Sequence, residues 1–464
     1  MASANKQYTI REFSYFFCNE DGEECTGKNC KLDPQTFEEI KKFILETKEP
    51  GLDETLELLS LTSKAGYGEI IKAQNYVGLI QTKSGAMIEI LPKIYKGKNK
   101  LGIDECRKQL IRMLSVLKEA PFKRSQSADL DTAAGTLYEI FMHMFMDEFT
   151  QLQRKGLRSD YLPVEENLPY LKGKLQLAQH LKHNAAHQER FYVQYDEYLR
   201  NRPENRLIKA TLLFLAGKAT SSLLQQRIRQ GLFIMDDIDA SAAIEKDFNL
   251  CKMDRSMAAY ARILQWCRVF LRKETFSSYQ GSTLAFALLF PMEKVYESYV
   301  AHWVRASLPD SWEFSKQEKL HHLIEKPKTG FLLQPDIVLR QRQEREPGKR
   351  DVIIVDTKWK RLKYNSSLFG ISQADVYQMF AYAQKYGARK VVLAYPRTDG
   401  APEFSSEELK YCFSSECSCK NLKYYFSVET PSKGNCELQI VFIDLARENE
   451  KCIEEIVNAY QEIT

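Results

Sequence analysis

The run Phe331–Lys363, FLLQPDIVLRQRQEREPGKRDVIIVDTKWKRLK, decides how the rest of the chain is read. Phe331 to Arg340 and Asp351 to Lys358 are short apolar runs rich in Val, Ile and Leu, the composition of strands with at least one buried face. A wholly polar connector separates them, and its Pro347-Gly348 is a turn signal. Antiparallel pairing about the middle of that connector sets Asp336 opposite Val355 or Asp356. Asp356 and Lys358 are two residues apart and so share one face of their strand. The hairpin therefore gathers Asp336, Asp356 and Lys358 at one end of an apolar strand pair, where two acids and a lysine need a reason.

The flanking segments supply one. Pro291 can open a helix running through Trp303, because proline is tolerated in a first turn, and Glu297 lies near its middle. Beyond the hairpin the spacing predicts a helix from about Ser372 to Tyr386 and a strand from Arg389 to Tyr395. Gln378 and Tyr382 are four apart and share a helix face. The order helix, strand, strand, helix, strand resembles the PD-(D/E)xK nuclease core, with Pro335-Asp336 and Asp356-Thr357-Lys358 in the motif positions. Gln378-x-x-x-Tyr382 resembles the QxxxY element of several branches of that superfamily. The tripeptide alone decides nothing, since Glu39-Ile40-Lys41, Glu46-Thr47-Lys48 and Glu408-Leu409-Lys410 match it on helical or loop-like segments. The competing structural reading is an edge hairpin carrying surface salt bridges.

Phosphodiester hydrolysis requires a nucleophilic water, neutralisation of transition-state charge and help for the leaving oxygen. Asp336, Asp356 and Glu297 offer hard oxygen ligands suited to Mg²⁺, with Mn²⁺ as a substitute. Such a cation acidifies bound water and offsets the repulsion between acids and an anionic substrate. Lys358 can orient or deprotonate that water, or stabilise the developing charge. Lys360, Arg361 and Lys363 are expected to grip phosphates, with Gln378 and Tyr382 beside them on the DNA side, making binding salt-dependent.

A chain of 464 residues is long for one core. We expect an α+β multidomain protein: an N-terminal mixed α/β, partner-docking region over 1–130, a mainly helical middle over 131–282, and a PD-(D/E)xK (restriction-endonuclease-like) α/β core over 283–464. Helices are expected at Phe37–Thr47, Ile103–Leu117, Thr132–Leu152, Leu207–Ile228 and Met257–Leu271. Strands are expected at Tyr76–Thr82 and Ala86–Leu91, joined at Ser84-Gly85. A soft boundary falls near Ser278–Ser282. The net charge of +4 is too small to indicate nucleic-acid binding by itself, and the basic run Lys93, Lys96, Lys98, Lys100 reads as a solvated loop. No apolar segment approaches the roughly 18 residues of a membrane span, and the start of the chain has no signal-peptide core, so a cytoplasmic location is expected. The 11 cysteines fit reduced thiols. Neither Cys18, Cys25 and Cys30 nor Cys412, Cys417, Cys419 and Cys436 has paired C-x-x-C knuckles. His180, His183 and His187 read as a solvated helix face.

The chain also resembles one family, the McrC nuclease subunits of McrBC-type modification-dependent restriction systems. The resemblance is carried by QPDIVL (Gln334–Leu339), VDTKWK (Val355–Lys360) and DVYQMFAYAQKYGARKVVLAYP (Asp375–Pro396). It extends to EKVYESYV at Glu293, YDEYLRNRPENRLIKATL at Tyr195, GKLQLAQHL at Gly173 and NYVGLIQTKSGAMIEILPKI at Asn75. The insert Gln341–Arg350 is long for that hairpin, and the cysteine-bearing C-terminal segment has no counterpart. The resemblance implies an endonuclease that works with a McrB-like AAA+ GTPase hexamer, stimulates its GTPase, and cuts double-stranded DNA carrying modified cytosine. No G-x-x-x-x-G-K-[ST] loop is present, and Gly217-Lys218-Ala219-Thr220 lacks the preceding glycine, so nucleotide hydrolysis is left to a partner. The alternatives are a stand-alone repair or recombination nuclease and a non-catalytic adaptor that stimulates an NTPase.

Overall fold

The computed structural model describes residues 6–18, 29–46, 59–94, 100–117, 136–187, 189–251, 257–271, 284–325, 330–342, 350–362, 370–398, 410–411, 425–426, 436–445 and 456. Two compact units emerge. One comprises residues 1–123, 281–285 and 289–464; the other comprises 124–280 and 286–288. The three regions expected along the sequence are therefore regrouped in space, because the first 123 residues pack as one body with the C-terminal segment.

The N-terminal part of the first unit contains β1 (Gln7–Arg11), β2 (Tyr15–Cys18), β3 (Asn29–Leu32), α1 (Pro34–Glu46), β4 (Leu59–Lys64), β5 (Gly68–Ala73), β6 (Tyr76–Thr82), β7 (Met87–Leu91) and α2 (Lys100–Leu114). β1 runs parallel to β7, which pairs antiparallel with β6. A second sheet has the order β3-β2-β5-β4. Every residue of β6 and β7 is buried, as expected for strands covered on both faces. Their turn falls at Ser84-Gly85, where Gly85 takes φ +94°, a backbone angle glycine adopts without a Cβ clash. Lys93 departs from the solvated loop expected for it, being largely buried and ion-paired with Glu12. Lys96 and Lys98 lie outside the described residues.

The second unit holds α3 (Leu137–Lys155), β8 (Asp160–Leu168), β9 (Lys174–Leu175), α4 (Leu177–His183), β10 (Phe191–Leu199), α5 (Pro203–Ala216), α6 (Ser222–Ile234), α7 (Ile244–Leu250) and α8 (Ala261–Leu271). The helical run expected over Leu207–Ile228 is two helices, α5 and α6, separated by Gly217–Ser221. On α6, Gly231 is packed so closely that a Cβ there would stand 3.1 Å from Phe149. β8 and β10 form a long antiparallel pair, with β9 on the far side of β10. The expected histidine face is only partly formed. His180 and His183 stack on Phe191 and Tyr192, whereas His187 lies past the helix end at buried Asn184.

The chain continues with β11 (Leu284–Pro291), of which residues 286–288 group with the second unit, and, back in the first unit, α9 (Met292–Ser307). It continues with β12 (Trp312–Lys316), β13 (His322–Ile324), β14 (Gly330–Leu332), β15 (Ile337–Gln341), β16 (Val352–Thr357), α10 (Gln373–Tyr386), β17 (Lys390–Pro396), β18 (Lys410–Tyr411), β19 (Tyr425–Phe426) and β20 (Cys436–Ile443). The main sheet has the order β12-β15-β16-β17-β20-β18. β12, β15 and β16 are antiparallel neighbours, and β16, β17 and β20 run parallel. Val338, Ile354, Val391, Leu393 and Ile440 of this sheet pack with Met379 and Ala383 of α10. Burying about five such side chains stabilises this layer by roughly 1.5–3 kcal/mol each before entropy costs.

The strand expected over Phe331–Arg340 is divided. Gly330–Leu332 pairs with β13, and only Ile337–Gln341 joins the main sheet. Two local causes coincide: Phe331 takes φ +55°, and Pro335 has no N–H to offer a ladder. The polar insert at 343–349 lies outside the described residues, as do Cys25, Cys412, Cys417, Cys419 and Lys363. Cys30 is disulfide-bonded, against the expectation of reduced thiols throughout, while Cys18, Cys106, Cys251, Cys267 and Cys436 form no disulfide. Among the described residues no helix is long and apolar enough to cross a membrane.

Candidate active site

The strand pair has the expected register. Ile337 faces Val355, which sets Asp336, one residue before β15, across from Asp356 near the end of β16. Asp336 is anchored by Thr357, whose backbone N–H and hydroxyl donate to the same oxygen, Oδ2, at 2.7 and 2.6 Å. Both bonds tie the carboxylate of Asp336 to the end of β16. Asp356 is almost fully buried. Burial and the nearby charge of Asp336 push its carboxyl up to about 7, against the opposing pull of Lys358.

Lys358 follows the last residue of β16, and its backbone N–H continues the pattern by donating to Ala394 of β17. Its Nζ stands 2.7 Å from Asp356 Oδ2, a close ion contact without hydrogen-bond alignment. The ammonium donates instead to Gln378 Oε1 at 2.8 Å. Gln378 Nε2 donates to the Tyr382 hydroxyl at 2.9 Å, and Tyr382 donates to the carbonyl of Gln334 at 3.1 Å. Because an ammonium only donates and a backbone carbonyl only accepts, this relay fixes the orientation of the Gln378 amide. It also ties α10 to the segment just before Asp336. Burial opposes the charge on Lys358, but Asp356 outweighs it and the net shift is upward, so the side chain is held as a cation.

Glu297 projects from the middle of α9 and is buried. Gln317 Nε2 donates to both of its oxygens, at 2.9 and 3.2 Å, and Lys316 Nζ lies 3.3 Å away. Gln317 sits in the left-handed region, φ +49°, and its N–H donates to the carbonyl of Asp336 at 2.9 Å. A non-glycine residue in that region costs on the order of 1 kcal/mol or more, and here it links the backbone of one acid to the side chain of another. Burial and the charge of Asp336 both raise the carboxyl of Glu297.

The expected phosphate-gripping residues divide. Lys360 is committed to Asp375, donating to both oxygens at 2.9 Å, while Arg361 has no ion pair or hydrogen bond among the described residues. The hydrogen bonds of Gln378 and Tyr382 go to protein groups. Asp375 was not singled out in the sequence, although it lies in the quoted DVYQMF run. Its backbone N–H donates to the hydroxyl of Ser372, which caps the helix, and its Oδ2 accepts from the Tyr395 hydroxyl at 3.4 Å. Burial would raise its carboxyl, but Lys360 and Ser372 outweigh it and hold it below the usual range. Also missed were Glu12 and Lys93. Glu12 accepts from Trp359 Nε1 at 2.8 and 3.0 Å, and Lys93 Nζ donates to the carbonyl of Trp359 at 3.1 Å.

Among the described residues no three His, Cys, Asp or Glu side chains close on one point as a ready metal cage. The donor chemistry nevertheless fits a hard divalent cation. Asp336 raises the carboxyls of both Asp356 and Glu297, and one lysine faces the pair Asp336 and Asp356. That is the electrostatic situation a cation relieves.

A sheet of antiparallel and parallel strands that presents two acids and a lysine beside a helical glutamate defines the class as an α/β protein with a built acidic and cationic centre. Comparison carries this further. The sequence profile described as McrBC 5-methylcytosine restriction system component matches residues 71–396, and the chain belongs to that family. The chain is similar to one in the structure described as the refined half-complex from a tetradecameric assembly of Thermococcus gammatolerans McrB AAA+ hexamers with bound McrC. That likeness has TM-score 0.68 and 16% identity, covering 99% of this chain and 100% of that one, and it speaks for the fold. A second likeness, to a chain of the cryo-EM structure of the Thermococcus gammatolerans McrBC complex, has 18% identity over 66% of this chain and 89% of that one. Its TM-score of 0.45 is too low to carry an argument. No curated protein sequence matches the chain.

Proposed function

We propose that this chain is the DNA endonuclease subunit of a GTP-dependent restriction complex, built on a PD-(D/E)xK core and directed at modified cytosine. The observation that carries the reading is the convergence of Asp336, Asp356 and Lys358 at the end of one strand pair, with Glu297 within electrostatic reach. Support comes from α9, β15, β16, α10 and β17, which keep the expected order helix, strand, strand, helix, strand, with the additional strands β12, β13 and β14 between α9 and β15. The family description names 5-methylcytosine restriction, and the similar solved assembly contains McrB AAA+ hexamers.

Asp336 and Asp356, with Glu297 beside them, would hold Mg²⁺ or Mn²⁺, which when bound supplies charge neutralisation and an acidified water. Lys358, held as a cation, acts by stabilising negative charge that develops on the phosphate, and not as a base. Gln378 and Tyr382 keep its ammonium at that point. Of Lys360 and Arg361, Lys360 is committed to Asp375, which leaves Arg361 to meet a phosphate. The chain does not supply the nucleotide chemistry, which falls to an AAA+ GTPase partner.

The test mixes this chain with a McrB-like AAA+ GTPase and assays methylated and unmethylated DNA with and without GTP and Mg²⁺. Cleavage is expected only with methylated DNA, partner, GTP and Mg²⁺ together, and Asp356→Ala should abolish it while leaving stimulation of the GTPase intact. Efficient cutting of unmethylated DNA by the chain alone would replace this reading with a repair nuclease. No cutting under any condition, with GTPase stimulation preserved, would leave a non-catalytic adaptor.

A further inference from the structure

The residue after Lys358 is held by groups from the other end of the chain. Trp359 is buried, and its indole N–H donates to both oxygens of Glu12, 347 positions earlier in sequence. Its carbonyl accepts from Lys93 Nζ at 3.1 Å. Its ring packs on Tyr296, centroids 5.2 Å apart, immediately before Glu297 on α9. Trp359 thus touches the helix that presents one candidate acid while adjoining the lysine of the site.

Glu12 is itself immobilised. Its N–H donates to the carbonyl of Leu91, and its Oε1 accepts from the backbone N–H of Lys93 at 3.0 Å. The Lys93 ammonium lies 3.6 Å from Oε2 and 4.3 Å over the Phe13 ring, and Phe13 takes φ +63°. A fully enclosed carboxylate with this many donors is a fixed point, since losing any donor leaves a buried charge short of partners. Among the described residues the other backbone restraints on the strand end are the N–H of Lys358 to Ala394 O and the N–H of Lys360 to Lys358 O, beside the side-chain ties of Lys358 to Gln378 and of Lys360 to Asp375.

We infer that Glu12 and Lys93 form a brace that positions Lys358 through Trp359, so that the N-terminal segment is a working part of the catalytic centre as well as a docking region. This rests on the nuclease reading above for its kinetic consequence, but its structural content does not. Glu12, Lys93 and Trp359 are positioning residues: none offers a group to substrate. Small displacements of a reacting group cost large factors in rate, whereas DNA affinity depends on phosphate contacts made elsewhere.

The test uses the full chain with its AAA+ partner and compares Glu12→Ala, Glu12→Gln and Trp359→Phe with the wild type. Two readouts are taken: cleavage kinetics, and hydrogen–deuterium exchange over residues 352–362 in the chain alone. Glu12→Ala and Trp359→Phe should lower kcat at least tenfold with KM for DNA within about twofold. Both should also lose amide protection at Lys358 and Lys360. Glu12→Gln keeps an acceptor for the indole and should recover much of both. Unchanged exchange in all three variants overturns the brace, whatever the activity. Equal falls in kcat/KM and in thermal midpoint, with no recovery in Glu12→Gln, also overturn it in favour of a plain stability role. If the wild type cuts no DNA but exchange rises in Glu12→Ala, the brace stands and the nuclease reading falls.

Discussion

At the residue scale the centre is a set of acids held against their own repulsion. Asp356 is buried, and its carboxyl is pushed up to about 7 by burial and by Asp336. An acid whose folded pKa lies above its unfolded value binds protons more tightly when folded, so its contribution to stability is present at low pH and is lost as pH rises. The window runs from the ordinary aspartate value of 3.8 to about 7. The stability that Asp356 contributes to the metal-free chain should therefore fall between those limits. Asp356→Asn should flatten that slope in urea titrations taken at several pH values, and Mg²⁺ should restore stability above pH 7 in the wild type. A wild-type slope that persists in Asp356→Asn would show that other groups set it. Lys358→Ala should abolish cleavage, and Lys358→Arg should restore little, because a guanidinium replaces a compact ammonium seated between Asp356 and Gln378. Full activity in Lys358→Ala would remove that residue from the mechanism.

At the element scale, α10 acts as the clamp on the site. Ser372 accepts from the N–H of Asp375 and caps the helix start, and Gly387 in the left-handed conformation ends it. Ser372→Ala should cost about 1 kcal/mol, read from the urea midpoint at constant slope. Tyr382→Phe removes the hydroxyl that joins Gln378 to the Gln334 carbonyl, leaving both groups short of a partner. It should lower kcat more than it lowers stability, and an unaltered kcat would show that the relay does not set the lysine. Elements of this kind were legible from sequence because they have local signatures. Ser372, Gly387 and the four-residue spacing of Gln378 and Tyr382 mark α10, and unbroken Val and Ile runs mark β16. What misled was also local. Pro335 stands inside an apolar run, and its missing N–H divides the strand expected from Phe331 to Arg340. The pattern from Leu207 to Ile228 keeps helical phase across Gly217, where the chain turns.

At the scale of the whole molecule, contacts between distant segments were not legible. Periodicity reports which face a residue turns to the core, not which segment it meets there. Nothing in MASANKQYTIREF marks Glu12 as the acceptor for Trp359, and Lys93 sits at the head of a basic run that reads as surface. The acids of the site were legible because a hairpin brings them together within about twenty residues. The same distinction gives a prediction. Residues 281–464 made alone lack Glu12 and Lys93 and leave the indole of Trp359 without its acceptor. Such a fragment should be less stable than the full chain, and co-expressed residues 1–123 should rescue it. Equal thermal midpoints with and without the N-terminal fragment would show that the two segments do not depend on each other.

The division of one compact unit between the two ends of the chain has a further consequence, for synthesis. The first 123 residues leave the ribosome long before the segment that completes their unit. Glu12 waits for Trp359, 347 positions later in the chain, roughly 20–70 s at ordinary elongation rates. During that interval the intervening unit, 124–280, can fold by itself, while the nascent N-terminal strands still expose apolar side chains destined for contacts not yet made. Nascent-chain chaperones should bind this protein late into translation, and the centre at Asp336, Asp356 and Lys358 should form only after the last strands are released.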